Sequence, residues 1–156
     1  MEICTPKALR FSSVLAAISA SFINTDSVNS SSGTTLVQLL VDYLAVVDTP
    51  QRALDQIRQM TSKVGIDIEA PLATVRSHAA ALIALSPKAD VVFDASFSPR
   101  LDYYTGVVFE MTNEEGEVLA SGGEYDRLLD RLGATERVTA SGCALWTERL
   151  EREANR

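Results

Sequence analysis

The chain has 156 residues, with 46% apolar and 22% charged residues and a formal net charge of −7. That length is about one domain, and the mix excludes both a wholly disordered chain and a disulfide-stapled miniprotein. No apolar run reaches the roughly 18 residues of a spanning helix, so no membrane segment is expected. With 14 Lys and Arg against 21 Asp and Glu, and no basic cluster, nucleic acid is not an expected partner.

Cys4 and Cys143 are the only two cysteines, and they form no metal-binding or disulfide pattern. A reducing compartment, the cytoplasm, is the expectation. The single histidine, His78, has no clustered acids at ligand spacing. No metal site or cofactor is expected, and His78 reads as a solvent-facing helix residue.

In chain order, Lys7 and Arg10 precede an apolar but serine-diluted stretch over residues 11–20. It imitates a secretory leader loosely, and its plainer reading is a short amphipathic helix. Residues 24–33 are small and polar and read as a linker, closing an N-terminal segment over residues 1–33. A helical region follows over residues 34–88. Its first helix carries Leu36, Leu39, Leu40, Tyr43, Leu44 and Val47 at helical spacing. The second opens at Thr49 as N-cap with Pro50 in the first turn, buries Ala53, Leu54, Ile57, Met60, Thr61 and Val64, and stops at Gly65. The third turns Leu72, Val75, Ala79, Leu82 and Ile83 inward and ends at Ser86-Pro87.

Beyond Pro87 the period changes, and residues 89–156 read as a sheet with helices: α+β, largely antiparallel. Residues 91–97 and 103–111 are β-rich. The turn Asn113-Glu114-Glu115-Gly116 predicts antiparallel pairing of the second strand with residues 117–121. Gly122-Gly123 reads as a strand break, residues 125–132 as a helix stopped by Gly133, and residues 139–146 as a buried strand leading into a helix from Thr147.

Three segments of this last part can carry chemistry. In Arg100-Leu101-Asp102-Tyr103-Tyr104-Thr105-Gly106, strand alternation predicts Tyr103 and Tyr104 on opposite faces, one in the core and one in a cleft. Their plainer reading is strand packing with no ligand. In Ser121-Gly122-Gly123-Glu124-Tyr125-Asp126, the glycines allow positive φ and close approach of a ligand to bare backbone, or simply a strand-to-helix turn. In Gly142-Cys143-Ala144-Leu145-Trp146-Thr147-Glu148-Arg149, Arg149 has two readings: an anion contact in the cleft, or a surface ion pair.

In this order and spacing the segments resemble the histidine-specific branch of the class II aminoacyl-tRNA synthetases. The matching residues are Asp102, Tyr103, Tyr104, Gly122, Gly123, Tyr125, Asp126, Gly142, Glu148 and Arg149. The resemblance covers about residues 90–150 and implies a partial class II synthetase-like sheet with flanking helices, the helical region standing where the family has its inserted helices. It implies that Tyr104, Tyr125, Gly122 and Gly123 bind histidine. Three positions depart from the synthetase pattern: Pro99 stands where the strand carries its catalytic arginine, with Arg100 displaced by one; Glu124 replaces an arginine; Trp146 replaces a glycine under the nucleotide.

Retained amino-acid pocket and lost cationic clamps resemble the regulatory subunits of ATP phosphoribosyltransferase. That resemblance implies a non-catalytic protein, with no catalytic residues and no cofactor. It would activate the short-form catalytic subunit and relay feedback by histidine in the first step of histidine biosynthesis. Two alternatives stay open: a divergent histidyl-tRNA synthetase fragment and an inert remnant. Members of this family are longer and carry two earlier motifs, so the chain is read as a C-terminal portion. A sheet lacking its first strands has an open edge, from which self-association is expected.

Overall fold

The computed structural model describes residues 7–13, 32–98, 103–136 and 138–155. Among these the elements run β1 (Ala8–Ser13), α1 (Ser32–Leu44), β2 (Val47–Asp48), α2 (Pro50–Lys63), α3 (Glu69–Leu85), β3 (Asp90–Asp94), β4 (Val107–Thr112), β5 (Val118–Glu124), α4 (Leu128–Arg131), β6 (Ser141–Leu145) and α5 (Thr147–Ala154). The strands form one six-stranded sheet in the order β2-β3-β1-β4-β5-β6. Every pairing is antiparallel except β1 with β3, which is parallel. The α+β reading holds.

The expected helix over residues 11–20 is corrected: residues 8–13 form β1, held between β3 and β4, while residues 14–20 lie outside the described part. The reason is packing at period two. Leu9 and Phe11 point to one face, are 2% and 0% exposed, and sit in the core, while Arg10 points to the other. Phe11 meets Phe93 of β3 edge to face, with ring centroids 5.4 Å apart. The sheet draws strands from each of the three segments read in the sequence.

The helices α2 and α3 cover the Leu9–Phe11 face. Ala53, Leu54 and Ile57 of α2 and Leu72, Val75 and Ala79 of α3 join Leu9, Phe11 and Phe93 in one buried cluster, against which Val107, Phe109 and Met111 of β4 also pack. The α2 boundaries follow the expected punctuation. Pro50 occupies the first turn, where its missing N–H costs nothing, and Gly65 takes φ +73°. Thr49 caps with no side-chain hydrogen bond; instead its own N–H is fixed by Asp48 Oδ1 at 2.7 Å. Val64 and Ile83, expected inside, are exposed; Val64 stands at the C-cap, past the last residue of α2, and Ile83 lies in the last turn of α3.

The β4–β5 turn forms as read. Asn113 Oδ1 accepts from the N–H groups of Glu115 and Glu117, and Gly116 takes φ +79°. Asn113 Nδ2 also donates to Glu153, and Arg152 pairs with Glu117, which holds α5 against this turn. Two further expectations change. Residues 125–132 contain only the short α4, stopped by Gly133 at φ +92°. The strand over residues 139–146 is not buried: all five residues of β6 are exposed, because β6 is the last strand of the sheet and pairs only with β5 among the described residues.

Candidate functional site

Strand register decides which side chains meet on the sheet face away from α2 and α3. One rung across β4, β5 and β6 is Val108, Gly123 and Gly142; the next is Arg10, Glu110, Ser121 and Ala144, reaching back to β1. The first rung is nearly bare of side chains at its outer end. The second is polar. Above them lies a cavity of about 810 Å³, walled by Phe97, Tyr103, Tyr104, Tyr125, Leu128 and Trp146 and floored by Glu110, Ser121, Gly142 and Ala144.

The tyrosines do not sit as strand alternation predicted. Strand β4 begins at Val107, so Tyr103 and Tyr104 belong to the turn before it, and a turn does not alternate. Their rings lie together, centroids 4.7 Å apart. Tyr125 meets both edge to face, at 5.6 Å from Tyr103 and 6.3 Å from Tyr104. This brings together Tyr104 and Tyr125, the two tyrosines expected at the site, and adds Tyr103. Burial, and next the neighbouring Tyr103, push the Tyr104 phenol up to about 12. Tyr104 therefore keeps its proton at neutral pH and can donate a hydrogen bond as well as accept one.

The glycines act differently from the expectation. Gly122 and Gly123 do not break β5, which runs through both to Glu124, and neither has a positive φ. What they provide is closeness. A Cβ at Gly123 would meet Val107 O at 2.5 Å and the Tyr104 ring at 2.9 Å. One at Gly142 would meet Tyr125 Oη at 2.5 Å. On the opposite sheet face, one at Gly122 would run into Gly142 O and Cys143. So Gly123 and Gly142 let the two tyrosines lie on the sheet, and Gly122 lets β6 approach β5.

The turn between β5 and α4 is tied by Asp126, whose N–H donates to Thr105 Oγ1 and whose Oδ1 accepts from the Ala140 N–H. Asp126 thereby holds Tyr125 and the Tyr104 loop in one register. Arg149 does not line the cavity: its Nη1 donates to Val118 O at 2.6 Å, and its guanidinium lies 5.5 Å from the Trp146 ring. Trp146 does line it. Pro99, Arg100 and Asp102 lie outside the described residues.

Glu124 turns to the helix side. Its carboxylate accepts from the Val107 N–H and stands 3.8 Å from His78 Nε2 of α3. His78 is therefore half-buried against the sheet rather than solvent-facing, since α3 packs its own face there. The pair borders a second, smaller cavity of about 330 Å³ with Leu82, Phe109 and Cys143.

Sequence reasoning missed Arg10, Phe97, Glu110 and Ser121. Arg10 pairs with Glu110 at 3.1 Å and Asp94 at 3.4 Å, and stacks on Phe97 at 4.8 Å. The usable signal was the alternation Val108-Phe109-Glu110-Met111, which puts a carboxylate on the face away from the helices.

A mixed sheet with helices on one face and an aromatic cavity on the other is the architecture of the class II synthetase-like fold, and two solved structures match it. One is described as an ATP phosphoribosyltransferase regulatory subunit/histidyl-tRNA synthetase from Bacillus halodurans (TM-score 0.67, 18% identity, covering 96% of this chain and 45% of that one). The other is a histidyl-tRNA synthetase from Nostoc sp. PCC 7120 (TM-score 0.63, 17% identity, covering 97% and 42%). The sequence matches the histidyl-tRNA synthetase family over residues 18–150, and the chain belongs to that family. Within it, the chain is similar to the ATP phosphoribosyltransferase regulatory subunits of Brucella anthropi (40% identity over 121 residues) and Brucella ovis (38% over 120). Each alignment covers 74% of this chain and 32% of the relative, so the chain spans about a third of the length of the curated relatives it matches.

Proposed function

We propose that this chain is a regulatory module of ATP phosphoribosyltransferase that carries a histidine-sensing cavity. It binds the short-form catalytic subunit, raises its activity, and passes on the presence of histidine. The relatives named above as regulatory subunits support the role. The observation that carries the sensing part is the placement of Tyr104 and Tyr125 over Gly123 and Gly142. Two phenols that can each donate or accept stand in one wall, matching an imidazole that offers one donor and one acceptor nitrogen. The reading is of a binding site without synthetase chemistry. Adenylation needs cationic clamps on the transferring phosphoryl groups, whereas Arg10 is engaged by two carboxylates and Arg149 by a backbone carbonyl.

The test is reconstitution. The purified chain is added to a short-form catalytic subunit, and ATP phosphoribosyltransferase turnover is followed with and without histidine. The expected result is a saturable rise in rate that histidine reverses, with the reversal shifted to higher histidine by Tyr104→Phe and Tyr125→Phe. A rate indifferent to the chain contradicts the regulatory role. A rise that histidine reverses equally in wild type and both variants contradicts the site.

A further inference from the structure

We propose that Glu124 is a positioning residue for histidine binding: it fastens the Tyr104 segment to β5 and ties it, through His78, to α3. The inference rests on the histidine reading and deepens it from outside the site, since Glu124 lines the smaller cavity behind the sheet and not the tyrosine cavity. Its carrying observation is where the β4–β5 ladder ends. The last paired residues are Val108 and Gly123. Beyond them Glu124 holds the incoming chain twice. Its backbone carbonyl accepts the Thr105 N–H at 2.8 Å, and its carboxylate Oε2 accepts the Val107 N–H at 3.3 Å. Gly106, between those two residues, leaves the room that the carboxylate occupies: a Cβ there would run into Glu124 Oε2.

These bonds bear on both site tyrosines. Tyr125 follows Glu124 in the chain, and Tyr104 leads into the segment that Glu124 holds. The Tyr104 ring lies over Gly123, the residue before Glu124, 2.9 Å from where a Cβ would stand. A shift of residues 105–107 therefore moves that ring off its place. The position needs an acceptor, because Val107 offers an N–H, and a donor-only side chain such as arginine could not hold it. The second carboxylate oxygen, Oε1, stands 3.8 Å from Nε2 of His78 on α3. One carboxylate thus bridges the Tyr104 segment and the helical layer, with an oxygen toward each. The two ties are unequal. A part-exposed pair such as Glu124–His78 contributes little, so the bond to Val107 carries the larger effect.

The test is a histidine titration of the whole chain, followed by the emission of its single tryptophan, Trp146, which lines the tyrosine cavity. Glu124→Ala removes both ties and is expected to weaken histidine about fivefold, within the range for one lost hydrogen bond. Glu124→Gln keeps an acceptor for Val107 and should restore affinity to within about twofold of wild type. His78→Gln should lose the same twofold, with nothing further lost when it is combined with Glu124→Gln. Gly106→Ala pushes the carboxylate aside without removing it. It should match Glu124→Ala and add nothing to it in the double variant, and it serves if Glu124→Ala is unstable. Because Glu124 acts through Tyr104, Glu124→Ala should weaken binding less than about twofold in a Tyr104→Phe background. An equal loss in both backgrounds overturns the positioning role and leaves the histidine reading standing. So does full affinity in Glu124→Ala and Gly106→Ala, or a Glu124→Gln as weak as Glu124→Ala. Losses from His78→Gln and Glu124→Gln that add in full overturn the tie to α3. No saturable change in the wild type overturns the histidine reading and the positioning role with it.

Discussion

Tyr125 lies over Gly142 so closely that a single methyl group there would stand 2.5 Å from its hydroxyl oxygen. A rigid ring cannot yield at its tip without rotating as a whole, so the glycine holds the tyrosine's position by leaving room for it. Gly142→Ala is therefore expected to displace Tyr125 and weaken histidine binding, with a modest stability cost. Gly123→Ala is worse placed, since its Cβ meets the Val107 carbonyl as well as the Tyr104 ring. Overpacking of this kind costs about 1–3 kcal/mol. Urea unfolding of both variants checks the order, with Gly123→Ala the less stable.

The strand β1 supplies a second expectation. Phe11 is fully buried and packs edge to face on Phe93 in the middle of the sheet. Truncating it leaves a cavity among Leu9, Ile57 and the other members of the buried cluster. Phe11→Ala should cost about 3–5 kcal/mol, measured as the shift of the urea midpoint at unchanged slope. An exposed amphipathic helix at this position would instead give a loss within about 0.5 kcal/mol.

Alkaline pH tests the two raised phenols, the buried Tyr43 and the partly exposed Tyr104. Burial raises Tyr43 from 10.0 to about 12, and Tyr104 is raised to the same value by burial first and Tyr103 next. The folded state holds these protons more tightly than the unfolded chain does. Their contribution to stability is complete below about pH 10 and is lost as pH rises toward about 12. Absorbance at 295 nm should show a phenolate step near that upper value, accompanied by falling thermal stability. Tyr43→Phe should flatten the slope of stability against pH in that window.

The exposed last strand predicts association. All of β6 is exposed, Leu145 is 58% exposed, and β6 is at the end of the sheet order. An uncovered strand edge recruits further chain. Light scattering is expected to give a mass that rises with protein concentration, and Leu145→Lys to lower it toward one chain, as charged residues do at natural edges. A single-chain mass at all concentrations for the wild type contradicts this.

Much of the fold was legible where local chemistry decides. Pro50 and Gly65 mark α2 because ring geometry and positive φ are properties of those residues themselves. Asn113 and Gly116 mark the β4–β5 turn for the same reason. What was not legible depends on distant partners. β1 is a strand because Leu9 pairs with Val91 and Met111, residues far along the chain that a local window does not contain. Cys143, Leu145 and Trp146 look apolar and so read as buried, but burial is set by what lies beside β6. The site divides in the same way. Tyr104 and Tyr125 stood out by motif, while Glu110 and Ser121 meet only through register across β4 and β5.

The most direct test of the account is a histidine titration followed by Trp146 emission in the wild-type chain and in Tyr104→Phe and Tyr125→Phe. The account predicts a saturable change in the wild type with a Kd on the order of millimolar, equivalent to about 4 kcal/mol. Each variant should bind about 2- to 12-fold more weakly, the range expected for one lost hydrogen bond. No saturable change in the wild type, or identical curves for all three proteins, would contradict it.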